Sequence, residues 1–187
     1  MVVYRDTAVM ACPAEASRQG ELKSARSVVE ALGLEIEEIT SPGTLDGGDV
    51  LKVGETIYVG QSDRTNAEGV RELAAILGPR GATVVPVPVT RVLHLKSAVT
   101  ALPDGTVIGY PPLVDDSSLF DRFLAVPEER GAHVVVVDER RIIMASGCPE
   151  TEDLFLAMGY EPIAVDIGEF EKLEGCVTCL SVRLRDL

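Results

Sequence analysis

Short apolar runs recur along this chain in pairs, each pair folded about a turn signal. LKVGETIYVG (51–60) turns about Gly54-Glu55, SAVTALPDGTVIGY (97–110) about Asp104-Gly105, and VVVVDERRIIMA (134–145) about Asp138 to Arg140, so each reads as a β-hairpin. A helical stretch is expected after each pair: NAEGVRELAAIL (66–77), DSSLFDRFLA (116–125) and ETEDLFLAMG (150–159). Asn66 is the expected N-cap of the first, and Gly78-Pro79 its stop. A third strand-like run then follows, as in TVVPVPV (83–89) and PIAVDI (162–167), and earlier in LEIEEI (34–39) after the helical ELKSARSVVEALG. The repeating unit is strand, strand, helix, strand, roughly 40–45 residues long, a period typical of radial or solenoid arrays. The ends break the pattern: VVYRDTAVMA is expected as an opening strand with no partner before it, and VTCLSVRL as a closing strand with no hairpin after it.

Composition narrows this picture. The 187 residues are 46% hydrophobic, enough for one sizeable core, and no low-complexity segment or linker divides them, so residues 1–187 are expected to form a single domain. A net charge of −13 repels phosphate backbones and anionic lipid while attracting small cations, which argues against nucleic acid and membrane as partners. No apolar run reaches the roughly 20 residues of a membrane span, and the N-terminus lacks the basic start and apolar core of a signal peptide, so a cytoplasmic location is expected. Cys12, Cys148, Cys176 and Cys179 are then reduced thiols, and with only His94 and His133 beside them no metal site is expected.

Three segments carry candidate chemistry. In an extended GCVTCLSVRL (175–184), Cys176 and Cys179 point to opposite faces and cannot share a metal, and no helix follows them as a redox pair would require. A strand cysteine is commonly just a small buried hydrophobe. In TLDGGDVLKVG (44–54), paired glycines let Asp46 or Asp49 approach a partner closely, although a tight turn is the plainer alternative. His94, in RVLHLKSAV (91–99), offers an imidazole for general acid and base chemistry, although a lone histidine beside apolar neighbours is more often structural. Together, a cysteine, a histidine and a carboxylate at the inner ends of different units make the set that thiol catalysis needs.

The ordered segments LDGGDVLKVG, GQSDRTNAEG (60–69), VLHLKS (92–97) and GCVTCLSVRL resemble the dimethylarginine dimethylaminohydrolase family across essentially the whole chain. TNAEG and HLK are the sharpest matches, because generic strand or helix demands call for neither. The resemblance implies a pentein fold, an α/β propeller of strand-strand-helix-strand blades, here with about four of the family's five. It implies Cys179 as nucleophile, His94 as proton shuttle and Asp46 as the completing carboxylate. It further implies Asp6 as a grip on the guanidinium, Arg18 and Arg64 as ligands of the substrate's carboxylate, and the Leu173 backbone as a substrate contact. The expected reaction is hydrolysis of methylated arginine, a small guanidino substrate, to citrulline and a methylamine with no cofactor or metal. Tyr4-Arg5 stands where the family has an acid, and the family's lid and first blade precede Asp6, so a truncated, weakly active chain is expected. Its open strand edge leaves a homo-oligomer, or an inactive remnant that only binds a partner, as alternatives, and an arginine deiminase-like hydrolase is the enzymatic one.

Overall fold

The computed structural model describes residues 1–173 and 175–179 of the chain. These fall into two compact units, the first Met1–Leu95 and the second starting at Lys96.

The first unit holds two three-stranded sheets. In one, β1 (Val2–Tyr4) and β2 (Thr7–Met10) form an antiparallel hairpin, α1 (Glu21–Ala31) crosses over, and β3 (Glu35–Glu38) pairs parallel to β2. In the other, β4 (Val50–Val53) and β5 (Thr56–Gln61) form the hairpin, α2 (Ala67–Leu77) crosses over, and β6 (Thr83–Pro88) pairs parallel to β5. Val9, Leu45, Ile57, Val59, Leu73 and Leu77 are fully buried and make one core between the hairpins and α2.

The second unit repeats the plan. β7 (Val99–Ala101) and β8 (Val107–Gly109) form a hairpin with β9 (Phe123–Ala125) parallel to β8. β10 (Val134–Val136) and β11 (Arg141–Ala145) form the next, followed by α3 (Pro149–Ala157), β12 (Glu161–Val165) parallel to β11, and the single turn α4 (Gly168–Glu171). Its core is built on Ile108, Ile142, Met144 and Phe155. Among the described residues no helix is long and apolar enough to cross a membrane.

Three local expectations are corrected. Residues 2–10 are a complete hairpin rather than one unpartnered strand. The turn escapes a search for glycine or asparagine because Arg5 itself takes the left-handed conformation, φ 53°. Its side chain lies over the Tyr4 ring and pairs with Glu55 at 3.0 Å. β2 therefore has partners on both sides, and the chain's first repeat is whole. The helix expected over 116–125 is absent. Asp116 accepts the Ser118 N–H at 2.9 Å and caps a 3-10 turn, Ser117–Leu119, after which the chain is extended as β9. Short polar side chains that bond their own backbone compete with helix in this way. Finally, residues 177–179 form a turn rather than the start of a strand, and the rest of the expected VTCLSVRL strand, 180–184, lies outside the described residues.

The expected N-cap is observed and does more than cap. Asn66 Oδ1 accepts N–H bonds from Gly69 at 2.8 Å and Thr44 at 3.0 Å, while Nδ2 donates to the Pro42 carbonyl at 2.8 Å. Gly69 lets α2 lie against this loop, for a Cβ there would sit 2.0 Å from the Thr44 carbonyl oxygen. Asn66→Ala removes the cap and both loop bonds. It is expected to destabilise the first unit by about 2 kcal/mol, the upper end of the N-cap range, read as a lower urea midpoint with an unchanged slope.

Candidate functional site

The LDGGDV segment folds as one 3-10 turn, Gly47–Asp49, between Asp46 and β4. Asp49 is fully buried. Its Oδ2 accepts the hydroxyls of Thr65 at 2.7 Å and Ser62 at 2.8 Å, and its Oδ1 accepts the Leu95 N–H at 2.9 Å. These bonds replace the water a buried carboxylate gives up. They also fix the neighbours. Thr65, held by Asp49, accepts the Asp46 N–H at 3.0 Å, and Leu95 adjoins His94.

Asp46 is itself 3% exposed, and its Oδ2 accepts from His94 Nε2 at 3.0 Å and from Arg18 Nη1 at 2.7 Å. Burial pushes the Asp46 carboxyl up, but the His94 hydrogen bond and the charges of Arg18, His94 and Arg64 outweigh it and hold the group below the ordinary carboxylate value. The imidazole lies on bare backbone, because a Cβ on Gly48 would stand 2.6 Å from His94 Cγ. Arg18 forks onto Glu21 at 3.1 and 3.2 Å through its remaining nitrogens, and Arg64 reaches Glu15 at 3.4 Å. Asp46, His94 and Arg18 are thus brought together. Of the framing residues, Ser62 and Thr65 carry no individual role in the sequence reading, whereas Asp49 and Gly48 enter it as the second aspartate and glycine of DGGD, whose glycines let a carboxylate approach a partner closely.

Asp6 does not join them. It sits exposed in the β1–β2 turn, next to the Arg5 that pairs with Glu55 in the β4–β5 turn. Met1, by contrast, lies against Gly47 at the other end of the same hairpins. Asp6 thus lies toward the β4–β5 turn, while Asp46 precedes the opposite end of β4, a four-residue strand spanning about 13 Å. Asp6, expected to grip the substrate's guanidinium, is thus not brought to the Asp46 carboxylate. The positive charge of Arg5, expected to disturb that grip, is likewise spent at the turn end on Glu55.

In the second unit Leu173 follows α4 and is 86% exposed, its N–H bonded to the Phe170 carbonyl at 3.0 Å. The cysteines depart from expectation. The Cys179 N–H closes a turn onto the Cys176 carbonyl at 3.0 Å, so the alternation of an extended strand does not apply, and the two sulfurs lie 3.2 Å apart. Cys179 is exposed and Cys176 buried. The hydrogen bond from Cys176 pulls the Cys179 thiol down to about 5 against the opposing effect of burial, with help from His133, and the same contact drives Cys176 above the usual thiol range. Among the described residues no cluster of His, Cys, Asp and Glu is arranged to hold a metal ion.

A family model described as arginine deiminase matches residues 25–144. The N(G),N(G)-dimethylarginine dimethylaminohydrolase of Streptomyces coelicolor is 59% identical over all of this chain and 72% of its own length. That of Pseudomonas aeruginosa is 35% identical over 94% of this chain and 70% of its own. The chain belongs to the dimethylarginine dimethylaminohydrolase family. The crystal structure of a dimethylarginine dimethylaminohydrolase adduct with S-methyl-L-thiocitrulline superposes with a TM-score of 0.90 at 32% identity, covering 98% of this chain and 73% of that one. The Pseudomonas enzyme complexed with citrulline gives 0.89 over the same shares. The four three-stranded sheets are blades of the pentein-type α/β fold shared with these dimethylarginine dimethylaminohydrolases.

Two outcomes are expected for this family member. Gly48→Ala should push His94 off Asp46 and lower turnover by about 10²-fold, the cost of a misplacement near 1 Å, with little change in the urea midpoint. Alkylation of Cys179 by iodoacetamide, followed by peptide mass, should be half-maximal near pH 5. In Cys176→Ala the thiolate loses its donor, its pKa rises, and the profile moves to higher pH.

Proposed function

We propose that this chain hydrolyses an Nω-methylated arginine to citrulline and a methylamine, with Cys179 as nucleophile and the His94–Asp46 pair as its proton carrier. Beyond family membership, one observation carries this reading: Asp46 Oδ2 holds an imidazole and a guanidinium at once, at 3.0 and 2.7 Å. The guanidinium is that of Arg18, and the pairing supports a guanidinium as a cation this carboxylate can hold.

A guanidinium is a resonance-stabilised cation and a weak electrophile, so it must be oriented and attacked by a thiolate. The low Cys179 pKa supplies one at neutral pH. The thiolate sulfur forms a bond to the central guanidinium carbon. His94, protonated, gives its proton to the departing methylamine nitrogen as the C–N bond breaks, leaving an S-alkylthiouronium on Cys179. Neutral His94 then takes a proton from water, whose oxygen adds to the same carbon; citrulline departs and the thiolate returns. Asp46 fixes the ring throughout and stabilises its charged form. Arg18 and Arg64 are proposed for the substrate's carboxylate, a planar anion that a guanidinium grips bidentately, with the Leu173 backbone a further contact.

With dimethylarginine, the chain is expected to release citrulline and dimethylamine in equal amounts, and acid quenching should trap an adduct on Cys179. Cys179→Ser should abolish the adduct and lower turnover by on the order of 10⁴-fold or more. An adduct on Cys176 would overturn the assignment, and ammonia from unmethylated arginine as the sole activity would favour the deiminase alternative.

A further inference from the structure

The hydrolytic cycle proposed above uses one thiol, yet the turn presents two. We propose that Cys176 is a resolving thiol for Cys179, so that a peroxide converts the pair into an internal, reversible disulfide. The arrangement meets each requirement. The sulfurs are 3.2 Å apart already, and the Cys179 N–H to Cys176 carbonyl bond makes residues 176–179 a closed turn. A turn of that kind keeps its end Cα atoms within about 7 Å, the upper range that a disulfide spans. Exposure sets the order of events: Cys179 meets the oxidant, while Cys176 is buried behind it. The thiolate character of Cys179 supports the same order, since the thiolate is the form that peroxide oxidises.

In the first step the Cys179 thiolate attacks one peroxide oxygen, the O–O bond breaks, and protonation yields a sulfenic acid and water. In the second, Cys176 sulfur attacks the sulfenic sulfur; its thiol proton leaves with the hydroxyl as a second water and the S–S bond forms. Cys179 is oxidised in the first step, and both sulfurs share the oxidation after the second. An external dithiol returns both thiols by exchange. Without Cys176, the sulfenic acid would go on to sulfinic acid, which dithiols do not reverse. Cys148, buried and with its thiol pushed up by desolvation, is a poor target for the same oxidant.

The disulfide does not depend on the proposed hydrolysis, although its effect on activity does, so the test reads both. The full chain is treated with hydrogen peroxide, quenched with an alkylating agent, and followed by peptide mass and by citrulline release. Expected are the loss of two hydrogen masses in the peptide holding Cys176 and Cys179, a parallel loss of turnover, and recovery of both with dithiothreitol. Cys176→Ser, scaled to its own untreated activity, should gain oxygen on Cys179 and stay inactive after dithiothreitol. Sulfinic acid on Cys179 of the wild-type chain without a disulfide, or a disulfide joining either residue to Cys12 or Cys148, would overturn the proposal. A disulfide in a chain that releases no citrulline would uphold it and reject the hydrolysis instead.

Discussion

The buried carboxylate of Asp49 is the contact on which the first unit's chemistry rests. Three donors converge on it, from Ser62, Thr65 and Leu95, and each hydrogen bond to a charged acceptor contributes about 1.5–3 kcal/mol. The segments it joins are the turn before β4, the loop between β5 and α2, and the loop that carries His94. None of these is held by strand pairing. Without Asp49 the Thr65 hydroxyl would have no acceptor and the Asp46 backbone no fixed partner, so both members of the His94–Asp46 pair would lose their footing together. The TNAEG segment then takes on a physical meaning. Thr65 relays Asp49 to Asp46, Asn66 ties α2 to the loop at residues 42–44, and Gly69 permits the closeness of that contact.

How far the fold could be read from the sequence follows from where its information lies. The hairpins at 50–61, 99–109 and 134–145 were legible because Gly54, Asp104-Gly105 and Asp138 mark turns within a few residues. The opening hairpin was not, since its turn is Tyr4-Arg5-Asp6-Thr7, and a left-handed arginine is stabilised there by Glu55, fifty positions away. The stretch 116–125 misleads for a related reason. Its apolar residues fit a helical face, but Asp116 satisfies the backbone locally and Phe120 stacks on Phe123, centroids 6.0 Å apart, across the end of the 3-10 turn. In both places a side-chain interaction invisible to periodicity decided the backbone.

The site shows the same division. Motif order put His94 and Asp46 in one set, and their side chains meet at 3.0 Å, whereas Asp6, near them in the order of motifs, sits in the turn at the other end of its strands. Which end of a strand a residue occupies is a property of register. The cysteine pair failed on backbone state. A rule about alternating faces is sound for a strand, and VTCLSV has a strand's composition, but residues 177–179 turn and the two sulfurs meet.

The sign of the charges divides the labour within the His94–Asp46 pair. Despite its burial, the Asp46 carboxyl is held below its ordinary value by the His94 hydrogen bond and the nearby cationic charges, and it stays ionised at neutral pH. In the proposed hydrolysis Asp46 is the fixed negative charge and His94 the mobile acid and base. A fixed charge is what a permanent cation such as a guanidinium needs for binding, and a mobile proton is what an amine needs for leaving. Meeting both demands through one oxygen requires that the oxygen not move, and that is the constraint the buried Asp49, through Thr65 and Leu95, imposes on either side of the pair.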